Sequence, residues 1–188
     1  MKSVTMLKTL AVGTFAGAVA FAAAGDAMAA KKVKWKMQSA WSTSVPNAGE
    51  SGVRFVDSIS KMSEGKFAIK FFDPGALVPA LETFDAASKG SIESAWTTPG
   101  YHAGRYPGLS FMTTVPFGPA LTEFVSWKWF GGGNEIRDRV YAKHDLYAVD
   151  AFSHGAETSG WFKEPITDLN QLKGMKMRFF GLGAKVMS

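Results

Sequence analysis

Val33-Lys34-Trp35-Lys36-Met37-Gln38-Ser39-Ala40-Trp41 begins in strict alternation, with Val33, Trp35 and Met37 apolar and Lys34, Lys36 and Gln38 polar. A period of two belongs to a strand with one face buried. The stretch therefore predicts a half-buried strand ending in a polar loop that holds one large aromatic, Trp41. Downstream, Pro46 and Asn47 open a predicted helix with an apolar stripe of Val53, Phe55, Val56, Ile59 and Met62, stopped by Gly65. Phe67, Ile69 and Phe71 alternate with Ala68 and Lys70 as a second strand, closed by the turn Asp73-Pro74-Gly75. A second helix is predicted from Val78 to Lys89, with Leu81, Phe84 and Ala87 inward and Gly90 ending it, then a third strand from Ile92 to Thr98. Strand, helix, strand, helix, strand predicts an α/β fold with a mainly parallel sheet flanked by helices. Ligands of such sheets bind beyond the carboxyl ends of the strands. Trp41 and the segment Thr97 to Tyr101 both belong to that edge.

Further along, Tyr101 to Gly118 reads as an aromatic-rich loop, Leu121 to Phe130 as a helix broken by Gly131 to Gly133, and Asn134 to His144 as another. Tyr147 to Phe152 and Thr158 to Phe162 read as strand-like. In Lys173 to Ser188, Met175, Met177 and Phe179 alternate with Lys176, Arg178 and Phe180, with Asn170 placed to cap a short helical turn before them. That pattern predicts a strand whose odd-numbered face packs and whose Arg178 points the other way, beside a Gly181-Leu182-Gly183 turn. A guanidinium held at a strand end suits a planar carboxylate, because its fork of donors reaches both oxygens at once. A solvated surface arginine is the alternative on spacing alone.

The first residues have a different character. Lys2 and Lys8 precede an uncharged, Ala-rich run from Thr9 to Gly25 and the small-x-small triplet Ala27-Met28-Ala29. This is the pattern of a cleaved secretory signal over residues 1–29, with the mature chain starting near Ala30. The formal charge of the 188-residue chain is +5, and removing two lysines and one aspartate with the leader lowers it to +4. Its basic residues are interspersed with carboxylates, which argues against a nucleic-acid stripe. Mild basicity suits an anionic small molecule.

Enzyme chemistry is poorly represented. Zero cysteines exclude thiol catalysis and thiolate metal sites. His102, His144 and His154 lack the spacing of a metal helix, and no GxSxG elbow is present. The turn at Gly181 to Gly183 is similar to a dinucleotide loop but carries Val186 where a third glycine belongs. Glu82, Asp85 and Glu93 are expected as solvated carboxylates, and the aromatics and methionines of the helices as core. On residues alone this is an exported α/β domain with an anion site and no catalytic pair.

Six stretches taken in order resemble a known family. They are Trp35 to Trp41, Phe71 to Pro79, Thr98 to Gly104, Val115 to Gly118, Ser159 to Phe162 and Leu172 to Arg178. Together they are similar to the DctP-like solute receptors of TRAP transporters, nearest to the branch that binds 2-oxo acids. The resemblance implies a periplasmic-binding-protein-like architecture of two α/β lobes that closes over a small organic acid and delivers it to TRAP membrane subunits. It assigns residues 30–152 to the first lobe and 153–188 to the crossover and start of the second. Arg178 then pairs with the substrate carboxylate, Tyr101 lines the pocket as an aromatic that can donate a hydrogen bond, Trp41 forms another wall, and Thr158 adds a ligand contact. At 157 the branch carries a glutamine near a cation that also touches the substrate; this chain has Glu157, a harder oxygen donor for Na⁺ or Ca²⁺. A carboxylate there could equally repel an anionic substrate or face a cationic group. The resemblance implies no enzyme, a periplasmic location and, for some members, a homodimer formed by sequence beyond Ser188. Members continue well past that point, so a fragment or truncated copy is expected. Other TRAP substrates, such as dicarboxylates or sulfonates, and a sensor or partner role without transport are the alternatives.

Overall fold

The computed structural model describes residues 31–155, 158 and 160–187; the segment read as an export signal, residues 1–29, falls outside them. From Lys32 onward the chain forms one compact unit. Strands β1 (Val33–Ser39), β2 (Phe67–Phe72) and β3 (Ser94–Trp96) form a parallel sheet in the order β2-β1-β3. Val33 stands opposite Phe67 at one border of β1 and Ser39 opposite Trp96 at the other. Helix α1 (Ala48–Met62) makes the first crossover and α2 (Thr83–Ser88) the second. The order 2-1-3 reverses direction at β1, so the loops after β1 and β3 part at a topological switch point, where open α/β sheets leave a crevice.

The core lies between α1 and the sheet. Met37, Val56 and Trp96 are buried there, with Phe55, Ile69, Phe71, Trp41 and Phe152 packed around them. Trp96 donates from Nε1 to the Ala48 carbonyl at 2.7 Å and lies under Phe152, ring centroids 5.5 Å apart and nearly parallel. Helix and strand approach closely because α1 carries Gly52 on its inner face. A Cβ there would stand 2.5 Å from the Phe71 ring and 3.2 Å from Trp96. Any larger residue at 52 pushes the helix outward.

A second cluster surrounds Phe84, which is 3% exposed. Tyr106, His102, His144 and Tyr141 place their rings within 5.8 Å of it. Helices α3 (Leu121–Phe130) and α4 (Gly133–Ala142) follow, separated by the glycine run as the sequence predicts. The two are tied by charge. Lys128, 3% exposed, and Arg137 both reach Asp150 Oδ2 at 3.0 Å.

Several expectations fail for one shared reason, that local pattern does not say what an element meets. Val33, Trp35 and Met62 are exposed, since β1 is covered only toward its C-terminal end and α1 overhangs the sheet. The second helix starts later than predicted, after a 3-10 turn at Ala80–Glu82 that leaves Leu81 61% exposed. The third strand is three residues long, because only Ser94 to Trp96 lie alongside β1. Trp129 and Phe130 of α3 face outward. Tyr147 to Phe152, Thr158 to Phe162 and Met175 to Phe180 form no strand among the described residues. A strand exists only where a neighbour's backbone meets its hydrogen bonds, and among the described residues none is paired with these segments. The 3-10 turn Leu169–Leu172 is capped by Asp168, whose carboxylate accepts from the Asn170 N–H at 2.7 Å, so Asn170 is held and does not cap.

Candidate functional site

The end of β1 is built around two buried polar residues. Gln38 and Ser39 are fully buried. The Gln38 amide donates to the carbonyls of Ser39 (3.1 Å) and Asp73 (2.6 Å) and accepts from the Leu77 N–H at 2.9 Å. It thereby replaces a backbone partner for the loop after β2. Asp73 in turn accepts from the Thr43 N–H at 2.7 Å, and the Ser39 hydroxyl donates to the Trp41 carbonyl at 2.7 Å while accepting its N–H at 3.0 Å. Trp41 is thus held by polar groups behind it. The strand period had placed Gln38 outward; the outward-facing side of β1 is closed here by the Asp73 to Leu77 loop. Gln38→Leu is expected to lower unfolding stability by about 2–3 kcal/mol, because three backbone groups, one buried and two part-buried, lose their side-chain partner. A denaturant midpoint left unchanged would refute that bracing role.

Trp41 meets the product of the third strand. The chain leaves β3 through Thr97 and Thr98 into a 3-10 turn at Pro99–Tyr101. The Tyr101 ring lies 5.7 Å from Trp41, which is also 5.7 Å from Phe152. Tyr101 also meets Phe180 edge-on at 5.5 Å. Trp41 and Tyr101, two of the expected site residues, are therefore adjacent at the switch point. Arg178 is exposed and stands two residues before Phe180; Met177, of opposite parity, lies near Gly160 with Phe162. The packed odd face expected for this segment is only partly so, since Met175 is exposed. Thr158 is exposed, and Glu157 lies outside the described residues.

Phe180 is the site residue that spacing missed, having been set among the polar positions of its segment. An aromatic ring on the face shared with Arg178 was the available signal. Phe152 was missed likewise, inside a stretch read as a strand.

Beside Tyr101 a cleft of about 170 Å³ is lined by Leu81, Asp85, His102, Arg105 and Tyr106. Asp85, expected in solvent, is instead gripped by Arg105 and by the Tyr106 hydroxyl. That hydrogen bond to Asp85 raises the Tyr106 hydroxyl above its ordinary value. His102 is buried against Phe84, with Nε2 3.1 Å from the Thr97 hydroxyl. Burial holds its imidazole below the usual 6.5, against the pull of Asp85. A folded pKa below the unfolded one means that the unfolded state takes up the proton first. Stability is expected to be level above pH about 6.5 and to fall as pH drops from there toward the depressed value, with His102→Gln flattening the slope. Thermal unfolding between pH 7.5 and 4.5 reads this; equal slopes in both proteins would refute it.

A wider hollow of about 400 Å³ lies between Trp161 to Glu164 and Met175 to Met177. Among the described residues no cluster of His, Cys, Asp or Glu could hold a metal ion, and no helix is long and apolar enough to cross a membrane.

This chain belongs to the DctP family, bacterial extracellular solute-binding protein family 7, whose sequence model matches residues 37–187. It is 38% identical over 157 residues to a monocarboxylate 2-oxoacid-binding periplasmic protein of Nostoc sp., covering 83% of this chain and 43% of that protein. The fold is similar to crystal structures of two TRAP periplasmic solute-binding proteins. The one from Colwellia psychrerythraea, with bound calcium and pyruvate, has a TM-score of 0.79 at 30% identity, over 84% of this chain and 48% of the other. The one from Pseudoalteromonas atlantica, with bound sodium and pyruvate, has 0.79 at 28%, over the same shares. The parallel sheet flanked by helices is that of a lobe of these proteins, and the chain spans about half the length of the relatives it matches.

Proposed function

We propose that the protein is an extracytoplasmic solute receptor of the TRAP type that binds a small 2-oxo acid together with a hard cation. The observation that carries this reading is the meeting of Trp41 and Tyr101 at the carboxyl ends of β1 and β3, with Phe180 bringing the segment of Arg178 against Tyr101. In this reading Arg178 clamps the carboxylate through paired N–H donors, Tyr101 donates to a substrate oxygen, and Trp41 closes one wall. Thr158 adds a hydroxyl. Glu157 supplies hard oxygen donors for Ca²⁺ or Na⁺, and the cation in turn offsets its charge beside an anionic ligand. The identity to the 2-oxoacid-binding protein and the pyruvate held by both structural relatives favour 2-oxo acids over dicarboxylates or sulfonates.

The same reading makes residues 1–29 a cleaved export signal, 30–152 the first lobe and 153–188 the passage into a second. The periplasm is the location and the TRAP membrane subunits are the partners. Turnover is not part of the role. Calorimetric titration of the full chain with pyruvate, with Ca²⁺, Na⁺ or a chelator, tests it. Saturable binding of pyruvate that weakens on chelation is expected. Binding of a dicarboxylate or sulfonate in preference to every 2-oxo acid would overturn the substrate class.

A further inference from the structure

We propose that Phe180 is a positioning residue that sets Arg178 for its ligand by docking on Gly100 and Tyr101; the proposal rests on Arg178 being the carboxylate clamp. Arg178 belongs to a segment with no strand partner among the described residues, so no backbone ladder fixes its direction. Its fixed points are side chains. Phe180 is half-buried, lies edge-on to Tyr101 at 5.5 Å, and places its ring where a Cβ on Gly100 would have to stand. The turn Pro99–Tyr101 can thus receive the ring only because residue 100 is glycine. On the other side, Met177 approaches Gly160 beside Phe162. Arg178 lies between these two anchors, one residue from Met177 and two from Phe180.

Arg178 is two residues from Phe180, so the point where the Phe180 ring docks on Gly100 and Tyr101 fixes the path of the chain that carries the guanidinium. That aromatic contact sets where the guanidinium stands over the crevice. A fork of donors is sensitive to such placement, because both of its bonds must align at once.

The test is a set of variants of the full chain titrated with pyruvate and Ca²⁺, with thermal unfolding measured alongside. Phe180→Ala is expected to weaken pyruvate binding about tenfold, the scale of one lost aromatic anchor, while Phe180→Leu keeps most of the affinity. Added to Arg178→Ala, Phe180→Ala is expected to cost less than about twofold more, since a positioning residue acts through the group it positions. Gly100→Ala is expected to weaken binding by displacing the ring, and to add nothing once Phe180 is alanine. Wild-type affinity in Phe180→Ala, or a full tenfold loss on top of Arg178→Ala, would overturn the positioning role while leaving the receptor reading intact. If the wild-type chain bound no 2-oxo acid, the receptor reading would fall and this role with it.

Discussion

Arg178→Ala is expected to weaken binding of pyruvate in the full chain on the order of a hundredfold or more, with little change in thermal stability. The guanidinium is exposed and its segment has no strand neighbour among the described residues, so folding rests little on it. A bound carboxylate, in contrast, loses both charge-assisted hydrogen bonds at once, and removing one partner of a desolvated charge pair costs about 2–5 kcal/mol. Arg178→Lys separates charge from geometry, since lysine keeps the charge without the planar fork. It is expected to recover only a small part of the loss. Calorimetry on the three proteins decides the matter: lysine binding as well as arginine would mean that charge alone acts, and alanine binding as well as either would remove Arg178 from the site.

The largest effect on stability is expected at Trp96. It lies at the centre of the α1 core, 6% exposed, with Phe152 stacked on it, Phe55 at 5.6 Å and Phe71 at 6.4 Å. Trp96→Ala removes a large ring and opens a cavity next to Gly52, where the close helix–strand approach limits collapse. It also takes the donor from the Ala48 carbonyl. Truncations of this size cost about 3–5 kcal/mol, a large share of a domain's usual margin. Trp96→Phe is expected to recover over half of that, since it refills most of the volume and loses the indole N–H. Denaturant unfolding reads both, and a loss below about 1 kcal/mol in Trp96→Ala would mean that the core does not centre there. Because Phe152 packs on both Trp96 and Trp41, the same variant is expected to loosen the Trp41 wall and weaken pyruvate binding modestly.

These two residues mark how far the sequence could be read. The chain from Val33 to Phe72 carries its own instructions: alternation for two strands, a 3.6-residue stripe for α1, glycine and proline at the breaks. These are local signals, expressed within a few residues, and they suffice for an α/β fold that puts Trp41 and Tyr101 at the carboxyl edge of the sheet. The six matched stretches carried the family, and the resemblance carried the proposal that Arg178 clamps a carboxylate; neither depends on knowing a contact.

What only the tertiary structure decided is which faces meet. Lys128 is buried and paired with Asp150, which Arg137 also reaches, though nothing within α3 sets it apart from an exposed lysine. Gln38 points inward because a loop thirty-five residues away offers its backbone there. Phe152 leaves a stretch patterned as a strand to fill the space over Trp96, and Phe180, which spacing set among polar positions, rests on a glycine. In each case the deciding partner is distant in sequence. Local pattern reports the periodicity of an element, whereas burial, ion pairing and site geometry depend on the surface brought against it.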